Sequence, residues 1–578
     1  MLNVETLIQD KYPSFYRRHP RLVQPLIRVL RMLFREKSFQ QFAVDYPHLE
    51  GFNFVEQVLD YFDFSYTVRD HERLRMPAQG RVVIIANHPI GSLDGLALLK
   101  LVRETRTDVK VVANELLSTL KPLHNLLLPV DNMGGSTRRQ DIAAIRTHLD
   151  NDGAIIIFPA GEVSRLSPQG IRDGDWRSGF LRMAINSKSP ILPVFVDGRN
   201  SVLFYSVSLV AKPLSTLLLV REMFKQAQNC VDIRVGELIS YDSYQKILKQ
   251  QHQNVSLKEK AKLFKRHLYR VGQNRKGIFG TVTAIAHPEN RALLKGEVKQ
   301  CELLGKTSDG KQVYLYRYQP NSLIIREIGR LREIAFRAVG EGTGSRRDID
   351  RYDYHYFHLI LWDDEELEIA GAYRFCDTAP CVDTLGKDYL YSSELFSYTP
   401  SMRPYLERGL ELGRSFVQPK YWGRRSLDYL WYGIGAFLRR NPQYRYLSGP
   451  VTLSNAYPKR AMEMLIYFYS RHHPSCQKLA EPVLPYRISP ERNRELAEKF
   501  PGVDQKAEFA QLKSELAHMN LSVPTLYKQY TEVCEPGGVQ FAGFNIDANF
   551  ANCVDGLIIV DLNQLKQSKR ERYINSPD

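Results

Sequence analysis

The sequence predicts an α/β protein of two domains, and three observations carry that reading. At 578 residues the chain is several times the usual domain length. Its formal charge of +15 is divided unevenly: residues 1–276 hold 40 Lys and Arg against 27 Asp and Glu, and the remainder 39 against 37. Both halves alternate short apolar, strand-like runs with segments of helical periodicity. A content of 43% hydrophobic and 25% charged residues excludes a disordered chain. Seven scattered cysteines, an odd number, predict reduced thiols rather than a disulfide framework. The basic excess predicts an anionic partner, whether nucleic acid, phospholipid or acidic protein.

The opening MLNVETLIQDKYPSF has no uninterrupted apolar core and does not read as a secretory signal. Residues 21–37, RLVQPLIRVLRMLFREK, place Leu26, Ile27, Leu30, Leu33 and Phe34 at helical spacing, with Arg28, Arg31 and Arg35 opposite. That is the pattern of a basic amphipathic helix, suited to an anionic bilayer surface or to packing on its own domain. The most apolar stretch, 202–220, is interrupted by Lys212-Pro213; a mid-bilayer lysine costs roughly 2.5–3.5 kcal/mol, so a buried or interfacial hairpin is expected rather than a span. The glycine-bearing VGQNRKGIFG (271–280) marks the boundary. The expected divisions are an amphipathic region 1–58, a first domain 59–275 and a second domain 276–578.

In RVVIIANHPIGSLDG (81–95) a buried-type strand breaks at Asn87-His88 into a glycine loop that ends at Asp94. A histidine at a strand end with a carboxylate six positions on suits removal of a proton from a hydroxyl; alone, the pair reads better as a structural histidine. Three further segments follow in order: KPLHNLLLPVDNMGGSTRR (121–139), AIIIFPAGEVSR (154–165) and PILPVFVD (190–197). Together, over about 60–240, they resemble the four blocks of the glycerolipid acyltransferase superfamily. The resemblance implies an α/β acyltransferase domain in which His88 is the base and Asp94 orients it. Arg138 or Arg139 would bind an anionic acceptor group, with Gly161 and Glu162 in the acceptor turn. The chain departs from the pattern twice. Five residues, not four, separate His88 from Asp94, and Ala160 stands where the family has glutamate, which points to an acceptor other than a lysophospholipid.

The second half carries RRDIDRYDYHYFHLILWDDEELEIAGAYRF (346–375) and ELGRSFVQPKYWGRRSLDYLWYGIGAFL (411–438). These read as acidic loop, two strands around a solvated acidic turn (Asp363 to Glu366), then strand, basic turn and helix. Leu427, Leu430, Trp431, Ile434, Phe437 and Leu438 form the helix's core face. With YLSGPVTLSNAYP (446–458) and the tail 543–562, the order resembles the carrier-protein-dependent branch of the GNAT superfamily: acyl-homoserine-lactone synthases and ornithine N-acyltransferases. The resemblance covers about 280–565 and implies a GNAT-like α/β domain. In it Glu411 serves as general base, Asp350 and Asp353 hold a cationic amino-acid side chain, and Arg374 and Arg414 order the site. The glycine loop that grips coenzyme A in many GNATs is replaced by a basic turn, Lys420, Arg424 and Arg425, which favours docking of an acidic acyl carrier protein.

The two resemblances together are similar to the bifunctional ornithine-lipid synthases. They imply N-acylation of ornithine or another amino acid in the second domain and O-acylation of the resulting lyso-lipid in the first. The donor would be a thioester of acyl carrier protein or coenzyme A, with no bound cofactor, at the cytoplasmic face of the inner membrane, peripherally attached. The alternative is a lysophospholipid acyltransferase whose GNAT-like half only docks the carrier. His472-His473, Cys376/Cys381 and His355/His358 lack a full zinc ligand set, so no metal site is expected. No aromatic-interleaved basic stripe or reading motif is present, so nucleic acid is not an expected partner.

Overall fold

In a computed structural model the chain divides into two compact units, Met1–His287 and Pro288–Asp578. The structure describes residues 4–5, 9, 16, 20–114, 120–130, 139–210, 218–250, 255–548, 550 and 552–575. The division falls about a dozen residues beyond the expected boundary, which is corrected accordingly. The reason is local: backbone N–H groups of Ile278 and Phe279 donate to His267 Nδ1 (2.9 and 3.2 Å), and Val282 bridges Leu238, so this segment stays with the first unit.

The first unit holds β1 (Ser65–Thr67), β2 (Val82–Ala86), β3 (Val109–Asn114), β4 (Leu127–Val130) and β5 (Ala154–Ile157). A hairpin, β6 (Arg165–Ser167) and β7 (Gly170–Arg172), precedes β8 (Ile191–Asp197) and β9 (Cys230–Val235). The seven-stranded sheet has the order β1-β9-β8-β2-β5-β3-β4, and only the β8–β9 pair is antiparallel. Val82, Ile84 and Ala86 face one core while Val83 and Ile85 face another, which is why β2 reads as an unbroken apolar run. β2 lies at the middle of the sheet, and the crevice at the carboxyl ends of such strands is where these sheets place their sites.

The amphipathic segment forms helices Pro20–Leu33 and Glu36–Asp45. Of the expected apolar stripe Ile27 is buried and Leu30 and Phe34 are half-buried, whereas Leu26 is 40% exposed; Val29 and Met32, outside the stripe, are 52 and 74% exposed. Arg31 is also not free for a surface, being paired with Glu5 (2.7 Å) and Glu36 (2.9 Å). Of the stretch 202–220, the helix Val202–Val210 and the start of Leu219–Lys225 are described; Lys212-Pro213 lies outside the described residues. Among the described residues no helix is long and apolar enough to cross a membrane.

The second unit continues with β10 (Glu302–Lys306), β11 (Gln312–Arg317), β12 (Phe357–Asp363), β13 (Glu368–Asp377), β14 (Phe396–Tyr398) and β15 (Gly409–Val417). It ends with β16 (Tyr446–Leu453), β17 (Ala480–Pro482), β18 (Val539–Asp547) and β19 (Cys553–Asp561). Its main sheet runs β10-β11-β12-β13-β15-β16-β19-β18. Helix Leu323–Ala338 packs on Ile360 and Trp362 of β12, and helix Ser426–Arg440 packs on Leu359 and Leu361 from the other side. One pair, β15 with β16, is parallel, and it lasts three register positions, Gly409↔Tyr446, Leu410↔Leu447 and Glu411↔Ser448. Just beyond, Gly449 sits at φ +152°, where a Cβ would stand 2.1 Å from the Leu412 carbonyl; only glycine permits that approach as the strands part.

Candidate active sites

In the first unit the chain leaves β2 at Asn87, whose amide exchanges two 2.8 Å hydrogen bonds with the backbone of Val196 on β8. The next residue, His88, is half-buried with its ring against Phe158 (4.2 Å between centroids). Gly91, at φ +122°, turns the loop into helix Ser92–Arg103, whose third residue is Asp94. Asp94 is fully buried. Its Oδ2 accepts the N–H of Ile90 (2.9 Å) and Gly91 (3.3 Å), and its Oδ1 stands 2.8 Å from His88 Nδ1. The fifth intervening residue is thus absorbed within the loop. Burial works to lower the imidazole's pKa, but the Asp94 carboxylate and, behind it, Asp173 leave it raised from the ordinary histidine value. Nε2 is the ring nitrogen left to face a substrate.

Asp173, not singled out in the sequence, holds this loop from the far side. Its Oδ1 accepts from His88 N (3.2 Å) and Ser164 Oγ (2.5 Å), and its Oδ2 from Trp176 Nε1 (2.9 Å). Eighty-five positions separate Asp173 from His88, so no local pattern could have joined them. Gly161 turns at φ +66°, and a Cβ there would lie 3.7 Å from the guanidinium carbon of Arg177, a cation also not singled out in the sequence. Glu162 pairs with Arg165 (3.6 Å), while Ala160 is packed in the core, where a carboxylate would be buried. Arg138 and the side chain of Arg139 lie outside the described residues.

In the second unit Glu411 is buried at the point where β15 and β16 part. Its hydrogen bonds are to neutral donors. Oε1 accepts from Tyr356 Oη (2.9 Å) and Ser392 N (3.1 Å), and Oε2 from Ser392 Oγ (2.5 Å). Burial raises its pKa, partly offset by these donors and by the field of Arg374.

Around it lies a buried ionic cluster. Asp353, expected to hold a cationic substrate side chain, is corrected: its oxygens already serve Arg332 Nη1 (3.0 Å), Arg332 Nη2 (2.7 Å), Arg374 Nη1 (3.0 Å) and the N–H of Asp350 (2.8 Å). Burial opposes its charge, yet Arg332 and Arg374 hold its pKa well below the carboxylate range. Asp350 is partly exposed; its Oδ1 takes Arg374 Nη1 (2.5 Å) and its Oδ2 lies 3.8 Å from Arg414 Nη2. Arg332, which the sequence reading missed, also reaches Asp348 (3.1 Å).

The basic turn differs from its expectation as well. Lys420 is neutralised by Glu366 (3.0 Å) and Glu368 (2.5 Å), and Arg425 pairs with Asp428 (3.3 Å); Arg424 is exposed over the Tyr421 ring. The acidic turn is not wholly solvated, because Asp363 is buried and accepts from Tyr421 Oη (3.0 Å).

A histidine–carboxylate pair at the carboxyl end of a mainly parallel sheet, and a buried carboxylate where two parallel strands splay, define an acyltransferase built of two domains. Family models agree: one described as acyltransferase matches residues 6–271, and one described as acetyltransferase (GNAT) domain matches residues 331–432. Over 305 residues, 50% of this chain and 90% of the relative, it is 32% identical to a glycine N(alpha)-acyltransferase of Bacteroides thetaiotaomicron. Over 253 residues, 43% of this chain and 91% of the relative, it is 29% identical to a lyso-glycine lipid O-acyltransferase of the same organism. An L-ornithine N(alpha)-acyltransferase of Rhodobacter capsulatus is 26% identical over 271 residues, 45% of this chain and 94% of that one. The chain belongs to the family of the glycine N(alpha)-acyltransferase relative and joins an acyltransferase domain, first, to a GNAT domain, second.

Proposed function

We propose that the chain makes a diacylated aminolipid of the ornithine-lipid type by two acyl transfers, the second domain acting first. The observation that supports this best is Glu411: a buried carboxylate of raised pKa, bonded only to neutral donors, is a stronger base than an exposed one. It takes a proton from the α-amino group, whose nitrogen attacks the thioester carbonyl of a 3-hydroxyacyl donor; the C–S bond breaks and the thiolate leaves, taking up the proton that Glu411 holds. Asp350 lies beside this centre, where a substrate amine would be held. In the first domain His88 Nε2 takes the proton of the 3-hydroxyl as its oxygen attacks a second thioester, then returns it to the leaving thiolate. Asp94 fixes the ring and stabilises the imidazolium that forms. A thioester needs no covalent enzyme intermediate, so base positioning and stabilisation of the oxyanion suffice.

The acceptor of the second step is an acylated amino acid without a phosphate, which accords with Ala160 in the place of the family's glutamate. The donor is an acyl-carrier-protein or coenzyme A thioester, and the two transfers call for no bound cofactor. The exposed Leu26, Val29 and Met32 of helix Pro20–Leu33 support peripheral attachment to the cytoplasmic face of the inner membrane. The test is made on purified protein supplied with a 3-hydroxyacyl thioester and labelled ornithine or glycine. The reading expects an N-acyl product with one of them; absence of N-acyl product with both, while lysophosphatidate is acylated, refutes it.

A further inference from the structure

Arg374 presents an unused face. It is 1% exposed, and its Nη1 is spent on Asp350 (2.5 Å) and Asp353 (3.0 Å). Its Nε and Nη2, the two donors that lie side by side along the other edge of the guanidinium, have no hydrogen-bond partner among the described residues. Such an edge matches the two oxygens of a carboxylate, and leaving it unpaired in the interior costs stability. Three tyrosine rings, of Tyr352, Tyr356 and Tyr391, enclose it at 5.1 to 5.7 Å.

Arg414 is brought to the same place by an irregularity. Glu411 and Arg414 are three residues apart on β15 and in a regular strand would point to opposite faces. The register between β13 and β15 shifts between Ala372 and Arg374, and Arg414 takes φ +50°, a strained value for a side-chain-bearing residue. Its guanidinium then lies 5.1 Å from the Tyr391 ring that also faces Arg374, with Nε again without a partner among the described residues. Its ionic contacts to Asp348 (3.5 Å) and Asp350 (3.8 Å) are loose, and Asp350 Oδ2 is unpartnered too.

The register connects this pair to the base. Arg374 lies opposite Gly413 and Cys376 opposite Glu411, so Glu411 is one side-chain repeat away, about 7 Å along the same face. Tyr356 touches both, its ring 5.1 Å from Arg374 and its hydroxyl on Glu411.

We infer that Arg374, by its Nε–Nη2 edge, and Arg414, by its Nε, together bind the α-carboxylate of the amino-acid substrate and so set its amino group toward Glu411. This rests on the N-acylation reading above. The α-amino and α-carboxylate groups of the substrate enter as a zwitterionic pair and add no net charge to a cluster in which Arg332, Arg374 and Arg414 balance Asp348, Asp350 and Asp353. An amine without the carboxylate leaves the arginine edge unpaired and is rejected.

The test compares the accepted amino acid with its α-carboxamide, using the full-length protein and a 3-hydroxyacyl thioester. The wild type is expected to prefer the acid by at least about 100-fold in kcat/KM. Arg414→Gln, at the partly exposed side, and Arg374→Lys are expected to raise KM for the acid about tenfold or more and to bring the preference toward unity. Equal acylation of acid and amide by the wild type overturns the inference alone, as does a preference that both folded variants retain. If Arg374→Lys does not fold, Arg414→Gln and the wild-type ratio decide. Acylation of neither compound overturns the N-acylation reading and this inference with it.

Discussion

Nδ1 of His88 stands 2.8 Å from Oδ1 of Asp94, while the other oxygen of that carboxylate closes the loop between them by accepting the N–H of Ile90. One side chain therefore shapes the loop and orients the ring. Asp94→Asn keeps an acceptor for Ile90 but loses the charge beside the imidazole. O-acyl transfer is expected to fall by about 10²–10⁴-fold, with N-acyl transfer unchanged, as measured by separate assays of the two steps.

The pH profile of O-acyl transfer follows from the raised pKa of His88. The base must be neutral, so activity rises with pH, and the midpoint of that rise in kcat/KM is expected above about 6.5, the ordinary histidine value. A midpoint below it would contradict the balance in which the Asp94 carboxylate outweighs burial.

Glu411→Gln keeps one acceptor oxygen, for Tyr356 Oη and the Ser392 N–H, but no base. N-acyl transfer is expected to drop by about 10²–10⁴-fold. The folded carboxyl has a pKa above its unfolded value, so its contribution to stability is present below the unfolded pKa and is lost as pH rises through the folded one. Thermal melts should therefore show the variant gaining on the wild type at pH 8 relative to pH 4.

Asp353 is structural, and its substitution reads out in stability. Asp353→Asn leaves the fully buried Arg332 and Arg374 short of a countercharge and is expected to cost about 3–5 kcal/mol. Denaturant unfolding checks this; a loss below about 1 kcal/mol would return Asp353 to the substrate site.

Replacing Leu26, Val29 and Met32 together by Gln removes the exposed apolar residues of helix Pro20–Leu33 without touching the buried Ile27. Flotation with vesicles containing anionic lipid is expected to show at least a tenfold weaker association, with the melting temperature unchanged.

Much of the fold was legible because continuous apolar runs such as Val82–Ala86 and Leu359–Trp362 belong to strands covered on both faces. His88 and Asp94 were legible because a strand end, a glycine loop and a helix start keep them close in sequence. Asp173, Tyr356, Ser392 and Arg332 were not, since each meets its partner through tertiary packing 16 to 85 positions away. Lys420 and the Asp363–Glu366 turn were misjudged for one shared reason. The turn was read as solvated and the lysine as free to dock a carrier protein, whereas the turn supplies acids that pair with the lysine and with Tyr421. For helix Pro20–Leu33 periodicity gives a stripe but not what that stripe meets, and Ile27 is buried against the protein.

The central claim is that two sites on one chain act in sequence, Glu411 before His88. Its most direct measurement is mass spectrometry of lipid extracts from cells lacking their own aminolipid and expressing the wild type, His88→Ala or Glu411→Gln. The account predicts a diacylated aminolipid from the wild type, its monoacylated N-acyl precursor accumulating with His88→Ala, and neither species with Glu411→Gln. Normal diacylated aminolipid from His88→Ala, with only phospholipid acylation altered, would contradict it.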